Sequence, residues 1–94
     1  MAIAKEGTMK TTTPGTIIGK ALRDARVARG LTQGVVSELI GRTDGTVAAY
    51  EAGFLVPPGD TLLRLGLALK IDLDAVAARL LSRDRQQRRA AAAA

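Results

Sequence analysis

The 94-residue sequence contains no cysteine and no histidine. A zinc-finger ligand set, a cysteine nucleophile and a histidine general base are therefore all excluded. No disulfide can cross-link the chain, so an apolar core has to hold it together. Aromatic residues are limited to Tyr50 and Phe54, although 47% of the residues are hydrophobic. The remaining carboxylates and hydroxyls are scattered without a pocket motif. We therefore expect a small folded protein that is not an enzyme and holds neither a metal nor a cofactor.

The net charge of +5 is concentrated at the ends of the chain. Such a basic balance is typical of proteins that bind nucleic acid or an anionic membrane. Between residues 16 and 78, however, seven basic residues are balanced by seven acidic ones. Residues 79–94 carry five arginines and one aspartate. This basic run is either a solvated helix or tail, or a nucleic-acid contact, and the sequence leaves both open.

Membrane association is disfavoured by the distribution of apolar residues. No stretch approaches the roughly 20 apolar residues that a membrane-spanning helix needs. The first residues lack the apolar stretch of a signal peptide. The basic C-terminal run has no large apolar residue after Leu81, so it does not resemble a membrane-surface helix. We expect a cytoplasmic protein without a membrane partner.

The pattern of residues predicts an all-α chain with three parts. Residues 1–15 combine glycine, threonine and proline without periodicity, which predicts a flexible N-terminal arm. Residues 16–81 predict five amphipathic helices. Residues 82–94 form a basic, alanine-rich extension of good helix formers, so the last helix is expected to continue past the core.

Residues that favour helix ends mark the predicted boundaries. The proposed N-caps, whose side chains accept backbone hydrogen bonds, are Thr16, Thr32, Thr43, Asp60 or Thr61, and Asp72. The proposed left-handed terminators are Gly30, Gly41 and Gly53. The predicted inward-facing residues include Ile18, Leu22, Val47, Tyr50, Leu62, Leu65, Leu69, Leu73, Val76, Ala77, Leu80 and Leu81.

Two of the predicted helices are joined by only Gly41-Arg42-Thr43. Helices connected this tightly cross at a steep angle instead of lying antiparallel. This is the geometry of a helix-turn-helix, which presents its second helix to the major groove of DNA.

The residues of this region resemble the phage-repressor and Cro-like helix-turn-helix family of DNA-binding transcriptional regulators. The matching motifs are Gly30-Leu31-Thr32-Gln33, Ile40-Gly41, Thr46-Val47, Tyr50-Glu51-Ala52-Gly53 and Pro57. The resemblance extends from about Ile17 to Leu81 without a gap across the two central helices. It implies a compact five-helix domain that binds double-stranded DNA.

The resemblance also implies roles for individual residues. Gln33 would bind a DNA phosphate, Thr43 and Thr46 would offer hydroxyls, and Arg26 and Glu51 would form a buried structural ion pair. The DNA-binding residues implied in this way are Thr32, Gln33, Arg42, Thr43, Asp44, Gly45, Thr46 and Ala49.

Several of these positions depart from the family pattern. Asp44, Gly45 and Ala49 stand where base-reading side chains are usual, but none can make the bidentate contacts that discriminate bases strongly. Arg42 replaces a usually apolar residue, and a DNA contact and a solvent-exposed turn residue are equally consistent with it. The loop after the second helix is apolar where relatives are often basic. Its residues, together with two leucines of the last helix, are candidate dimer or partner contacts: Phe54, Leu55, Val56, Leu80 and Leu81.

Two functions are consistent with the sequence. The first is a sequence-specific, repressor-type regulator that binds a palindromic site as a homodimer. The alternative is a helix-turn-helix protein-interaction module, antitoxin-like or a co-regulator, with weak or no independent DNA specificity.

Overall fold

A computed structural model describes residues 12–93 and shows five α-helices and no strand within that range. We number the helices in chain order. They are α1 (Pro14–Ala28), α2 (Gln33–Ile40), α3 (Asp44–Ala52), α4 (Gly59–Leu69) and α5 (Leu73–Ala93). The predicted all-α class with five helices is confirmed. No helix in the described range is both long and apolar enough to cross a membrane.

Most helix ends follow from local capping chemistry, as predicted. The Thr32 hydroxyl accepts a hydrogen bond from the backbone N–H of Val35 at 3.1 Å, and an Asp72 carboxylate oxygen accepts one from Ala75 at 3.1 Å. Thr43 begins α3 in the same way. The glycines that follow the first three helices are left-handed, at Gly30 (φ 68°), Gly41 (φ 69°) and Gly53 (φ 85°).

The start of α1 differs from the prediction. Its N-cap is Thr13 and not Thr16; the two threonines form a reciprocal capping box, and Pro14 occupies the first helical position, which suits its fixed φ. Pro14 and Gly15 therefore belong to α1 and not to the flexible arm expected over residues 1–15. Residues 1–11 of that arm lie outside the described residues.

The start of α4 also differs, because neither Asp60 nor Thr61 is its N-cap. The helix begins at Gly59 after an extended Pro58, without a side-chain cap. Thr61 faces the core and is 1% exposed, while Asp60 lies in the first turn and pairs with Arg64 at 3.1 Å. The prediction rested on the fact that Asp60 and Thr61 are both good N-cap residues. It failed because the preceding prolines set where the helix begins, which is at Gly59, before either residue.

One apolar core is shared by all five helices. Its buried members are Ile18, Leu22, Val36, Ile40, Val47, Tyr50, Leu65, Leu69 and Val76. Leu62 and Leu80 pack at its edge. Ala77 and Leu81, predicted to face inward, are exposed. Helix α5 therefore contacts the core along a narrower stripe than its sequence suggested.

Helix α1 lies directly against the second half of α3. A Cβ atom added to Gly19 would collide with the carbonyl oxygen of Tyr50 and lie 2.7 Å from that of Glu51. One added to Gly15 would lie 2.7 Å from the carbonyl oxygen of Gly53. The missing side chains thus allow the two backbones to touch, and α1 becomes the support on which α3 is held.

Helix α5 extends well past the core. Its Arg83 Nε donates a hydrogen bond to the carbonyl oxygen of Thr12, just before α1, at 2.6 Å. Beyond this contact, residues 85–92 are exposed, and the helix continues to Ala93 as expected from its composition.

Candidate nucleic-acid interface

Helices α2 and α3 are joined by three residues and held in place by a buried serine. Ser37, which is 2% exposed, lies with its hydroxyl 2.7 Å from a carboxylate oxygen of Asp44 and 2.8 Å from the carbonyl oxygen of Gly34. The carbonyl of Ser37 accepts a hydrogen bond from the backbone N–H of Arg42 at 2.9 Å. These contacts fix the first residue of α3 and the connecting turn against α2, which sets the angle between the two helices.

Asp44, implied by the resemblance to lie at a base-reading position, has its carboxylate engaged with α2. The Ser37 hydroxyl occupies one of its oxygens. As the first residue of α3, its negative charge also suits the positive end of the helix dipole. Both observations account for an aspartate at this position without a contact to a base.

The other implied residues of α3 and its N-cap Thr43 are small. The Thr43 hydroxyl accepts a hydrogen bond from the backbone N–H of Thr46 at 3.3 Å and lies 3.0 Å from the Thr46 hydroxyl. Gly45 is exposed and Ala49 is half-buried. The surface of α3 and its N-cap therefore carries only short groups, namely two hydroxyls, a glycine and a methyl group.

Arg42 is exposed in the turn, and its guanidinium lies next to α4. Its Nη2 lies 3.4 Å from the hydroxyl oxygen of the buried Thr61. The side chain is thus attached at the edge of the helix-turn-helix, and its charge remains available at the surface.

Arg26 and Glu51 form the ion pair that the resemblance implies. Arg26 Nε donates to Glu51 Oε2 at 2.6 Å and Nη2 donates to Oε1 at 3.0 Å, while Nη1 donates to the carbonyl of Leu31 at 2.8 Å. The side chains are 14% and 5% exposed. The hydrogen bonds and charge of Glu51 raise the pKa of the Arg26 guanidinium above its ordinary value. The pair joins the end of α1 to α3.

Gln33 is connected to this ion pair, which the sequence did not indicate. Its Nε2 donates a hydrogen bond to Glu51 Oε1 at 3.0 Å. Gln33 begins α2 and Glu51 lies near the end of α3, so no local pattern links them. The contact arises only because α2 and α3 cross next to α1.

The five arginines of the last helix fall into three groups. Arg79 is exposed and directly precedes Leu80, which packs at the edge of the core. Arg83 is held by Thr12 and also donates to Asp84 at 2.9 Å. Arg85, Arg88 and Arg89 are exposed. Only these latter three extend into solvent beyond the bundle, within the described part of α5.

The candidate dimer or partner residues are mostly exposed. Phe54 is 83% exposed, and Leu55, Val56 and Leu81 are each about half exposed, whereas Leu80 packs against the core. Sequence reasoning missed two further leucines on the outer face of α4, Leu63 (65% exposed) and Leu67 (83% exposed). Their spacing of four residues, on the side opposite Leu65 and Leu69, was the signal that could have identified them.

Comparison with known proteins agrees with this geometry. Residues 17–80 match the helix-turn-helix domain family, and the chain belongs to that family. Among solved structures, the chain is similar to the clp gene regulator ClgR from Corynebacterium glutamicum, with a TM-score of 0.66 and 21% sequence identity over 86% of this chain and 90% of that one. At this level of identity the likeness concerns the fold. No curated protein sequence matches the chain.

Proposed function

We propose that this protein is a cytoplasmic, sequence-specific DNA-binding transcriptional regulator of the repressor type, from the phage-repressor and Cro-like branch of the helix-turn-helix family. The observation that carries the proposal is the α2–α3 unit, which combines a family match over residues 17–80 with a turn fixed by Ser37. A gene regulator among the similar structures supports the same function.

The first turn of α2 provides the phosphate contact in this proposal. Thr32 satisfies the N–H of Val35, which leaves the backbone N–H groups of Gln33 and Gly34 at the positive end of the helix. The Gln33 amide adds a side-chain donor. Arg42 supplies a positive charge beside the start of α3.

Base discrimination falls to the small residues of α3. Thr43 and Thr46 offer hydroxyls, Ala49 offers a methyl group to thymine, and Gly45 permits close approach of the backbone. Asp44 can accept a hydrogen bond from a cytosine amino group with the oxygen that Ser37 leaves free. Because no long side chain reads the bases, DNA shape and phosphate contacts supply much of the specificity and affinity.

A homodimer is part of this proposal. The exposed apolar residues Phe54, Leu55, Val56 and Leu81 are its proposed contacts, together with Leu80, which packs at the edge of the core. A two-fold dimer presents two copies of α3 to a palindromic site whose half-sites lie one helical turn apart, about 34 Å.

Selection from a pool of random DNA duplexes by the full chain tests the function. We expect a palindromic sequence to be enriched, and its affinity to fall with salt at a slope of about −0.9 per neutralised phosphate. No enrichment at low salt would overturn the proposal. It would favour the alternative of a protein-interaction module, which rests on the weak base readers and on exposed residues such as Phe54 and Leu67.

Reversing the charge of Arg42 tests its place in the interface. We expect Arg42→Glu to weaken binding to the selected duplex by about tenfold and to reduce the salt slope by about 1. Lys20→Glu is the control, because it makes the same charge change at an exposed residue of α1. In the parent, Lys20 pairs with Asp24. Equal effects of the two variants, measured by fluorescence anisotropy, would remove Arg42 from the interface.

A further inference from the structure

We propose that Glu51 is a positioning residue for DNA binding: it holds the Gln33 amide in the orientation that donates to phosphate. The inference rests on the proposed function, because it concerns how a phosphate contact is prepared. It gives Glu51 a role beyond the ion pair with Arg26.

The geometry around Glu51 places one acceptor between two donors. Oε1 accepts hydrogen bonds from both Arg26 Nη2 and Gln33 Nε2, each at 3.0 Å, while Oε2 accepts from Arg26 Nε at 2.6 Å. The Glu51 side chain is 5% exposed, whereas Gln33 is half-buried at the start of α2. The carboxylate is thus the fixed end of the contact and the amide is the end nearer the surface.

The carboxylate determines which end of the amide faces it. If the amide were flipped, its oxygen would face the Glu51 oxygen and the two acceptors would repel each other. With the nitrogen toward Glu51, one N–H is used, and within residues 12–93 the second N–H has no protein acceptor. Gln33 is the first residue of α2, so this second N–H belongs to the same helix turn as the backbone N–H groups that favour an anion.

Arg26 makes this arrangement compatible with a nearby phosphate. An isolated carboxylate next to a phosphate site would repel it. The bidentate guanidinium offsets the charge of Glu51 while leaving Oε1 able to accept from Gln33. The three side chains therefore order a flexible glutamine when the chain folds, and the cost of ordering it on binding is avoided.

A double-mutant cycle on DNA affinity separates positioning from stability. Gln33→Ala is measured in the parent and in an Arg26→Met/Glu51→Met background, where the whole ion pair is replaced by apolar side chains so that no buried charge is left alone. Only variants that circular dichroism shows to be folded are titrated with the selected duplex. We expect Gln33→Ala to weaken DNA binding about tenfold in the parent. In the Arg26→Met/Glu51→Met background the loss should be threefold or less.

Arg42→Ala is the matched control for this cycle. Arg42 contacts Thr61 and not Glu51, so its effect should be the same factor in both backgrounds. An equal loss from Gln33→Ala in the two backgrounds would overturn the positioning role. If the parent binds no duplex specifically, the proposed function fails before any variant is compared, and the inference falls with it.

The Gln33 side-chain amide protons give a second test that needs no change to the ion pair. Gln33→Ala identifies their NMR signals in the parent. We expect the amide proton that is hydrogen-bonded to Glu51 to keep its chemical shift when the duplex is added. The chemical shift of the other amide proton should change. Movement of both protons would show that Gln33 leaves Glu51 on binding, and the proposal would be wrong.

Discussion

At the scale of single residues, the buried carboxylate of Glu51 contacts two other side chains at once. Its charge is compensated by Arg26, and its Oε1 atom also binds Gln33. Three helices meet through these side chains, at the end of α1, the start of α2 and the second half of α3. Removing one member leaves a buried partner without its counter-charge or hydrogen bond.

We expect Arg26→Ala or Glu51→Ala to lower the free energy of unfolding by about 3–5 kcal/mol, because each leaves an unpaired buried charge. Urea denaturation of the folded chain measures the loss. Arg64→Ala is the control, because the Arg64–Asp60 pair is exposed, and it should cost less than about 0.5 kcal/mol. A free energy of unfolding of Arg26→Ala equal to that of the parent would contradict the structural role of the pair.

At the scale of helices, α3, the second helix of the helix-turn-helix, depends on its neighbours. Nine residues are too few for a stable isolated helix in water. Its inner residues Val47 and Tyr50 are buried. Its carbonyl groups near the C-terminus lie against Gly19 of α1, and the carbonyl group of Gly53, just past the helix, lies against Gly15. The position of α3 is therefore set by backbone contact with α1 as well as by the turn after α2.

We expect Gly19→Ala to lower the free energy of unfolding by about 3 kcal/mol or to prevent folding, because the new methyl group meets backbone that cannot move aside. Gly34→Ala is the matched control. Its Cβ would lie 3.5 Å from the nearest atom, a carboxylate oxygen of Asp44, which is ordinary contact, so the change should stabilise the chain by about 0.4–1 kcal/mol. Similar urea midpoints for the two variants would contradict the close packing of α1 on α3.

At the scale of the whole molecule, the positive charge and the DNA-binding geometry lie in different places. The balanced span of residues 16–78 contains the helix-turn-helix, whereas three exposed arginines lie on the free end of α5. Arg85 lies three and four residues before Arg88 and Arg89, so like charges repel along the helix. A phosphate backbone near this end of the molecule would relieve that repulsion.

We expect a chain ending at Asp84 to keep its stability within about 0.5 kcal/mol, because the Arg83–Thr12 bond is retained and the removed residues lie outside the core. If the three arginines contact phosphate, the salt slope of DNA binding should decrease by about 0.9 for each of them. Replacing Arg85, Arg88 and Arg89 with glutamine in the full chain is the control that preserves helix length. Unchanged slopes in both variants would remove the extension from DNA binding.

The helices and most of their ends could be predicted because their causes are local. Apolar spacing predicted the five helices, and residues such as Thr32, Thr43 and Gly41 act on backbone groups only a few positions away. The prediction failed where two local solutions competed. Thr13 and Thr16 are both able to cap α1, and the start of α4 is set by Pro58 in preference to Asp60 or Thr61.

The sequence by itself thus determined the all-α class, the short turn between α2 and α3, and membership in the helix-turn-helix domain family. Only the tertiary structure decided how the candidate site is connected. The Gln33–Glu51, Ser37–Asp44 and Arg42–Thr61 contacts join residues on different elements. Their distances depend on how helices cross, which follows from packing of the whole core. The same packing decided that Leu67 faces outward and that Arg83 is bound while Arg85 extends into solvent.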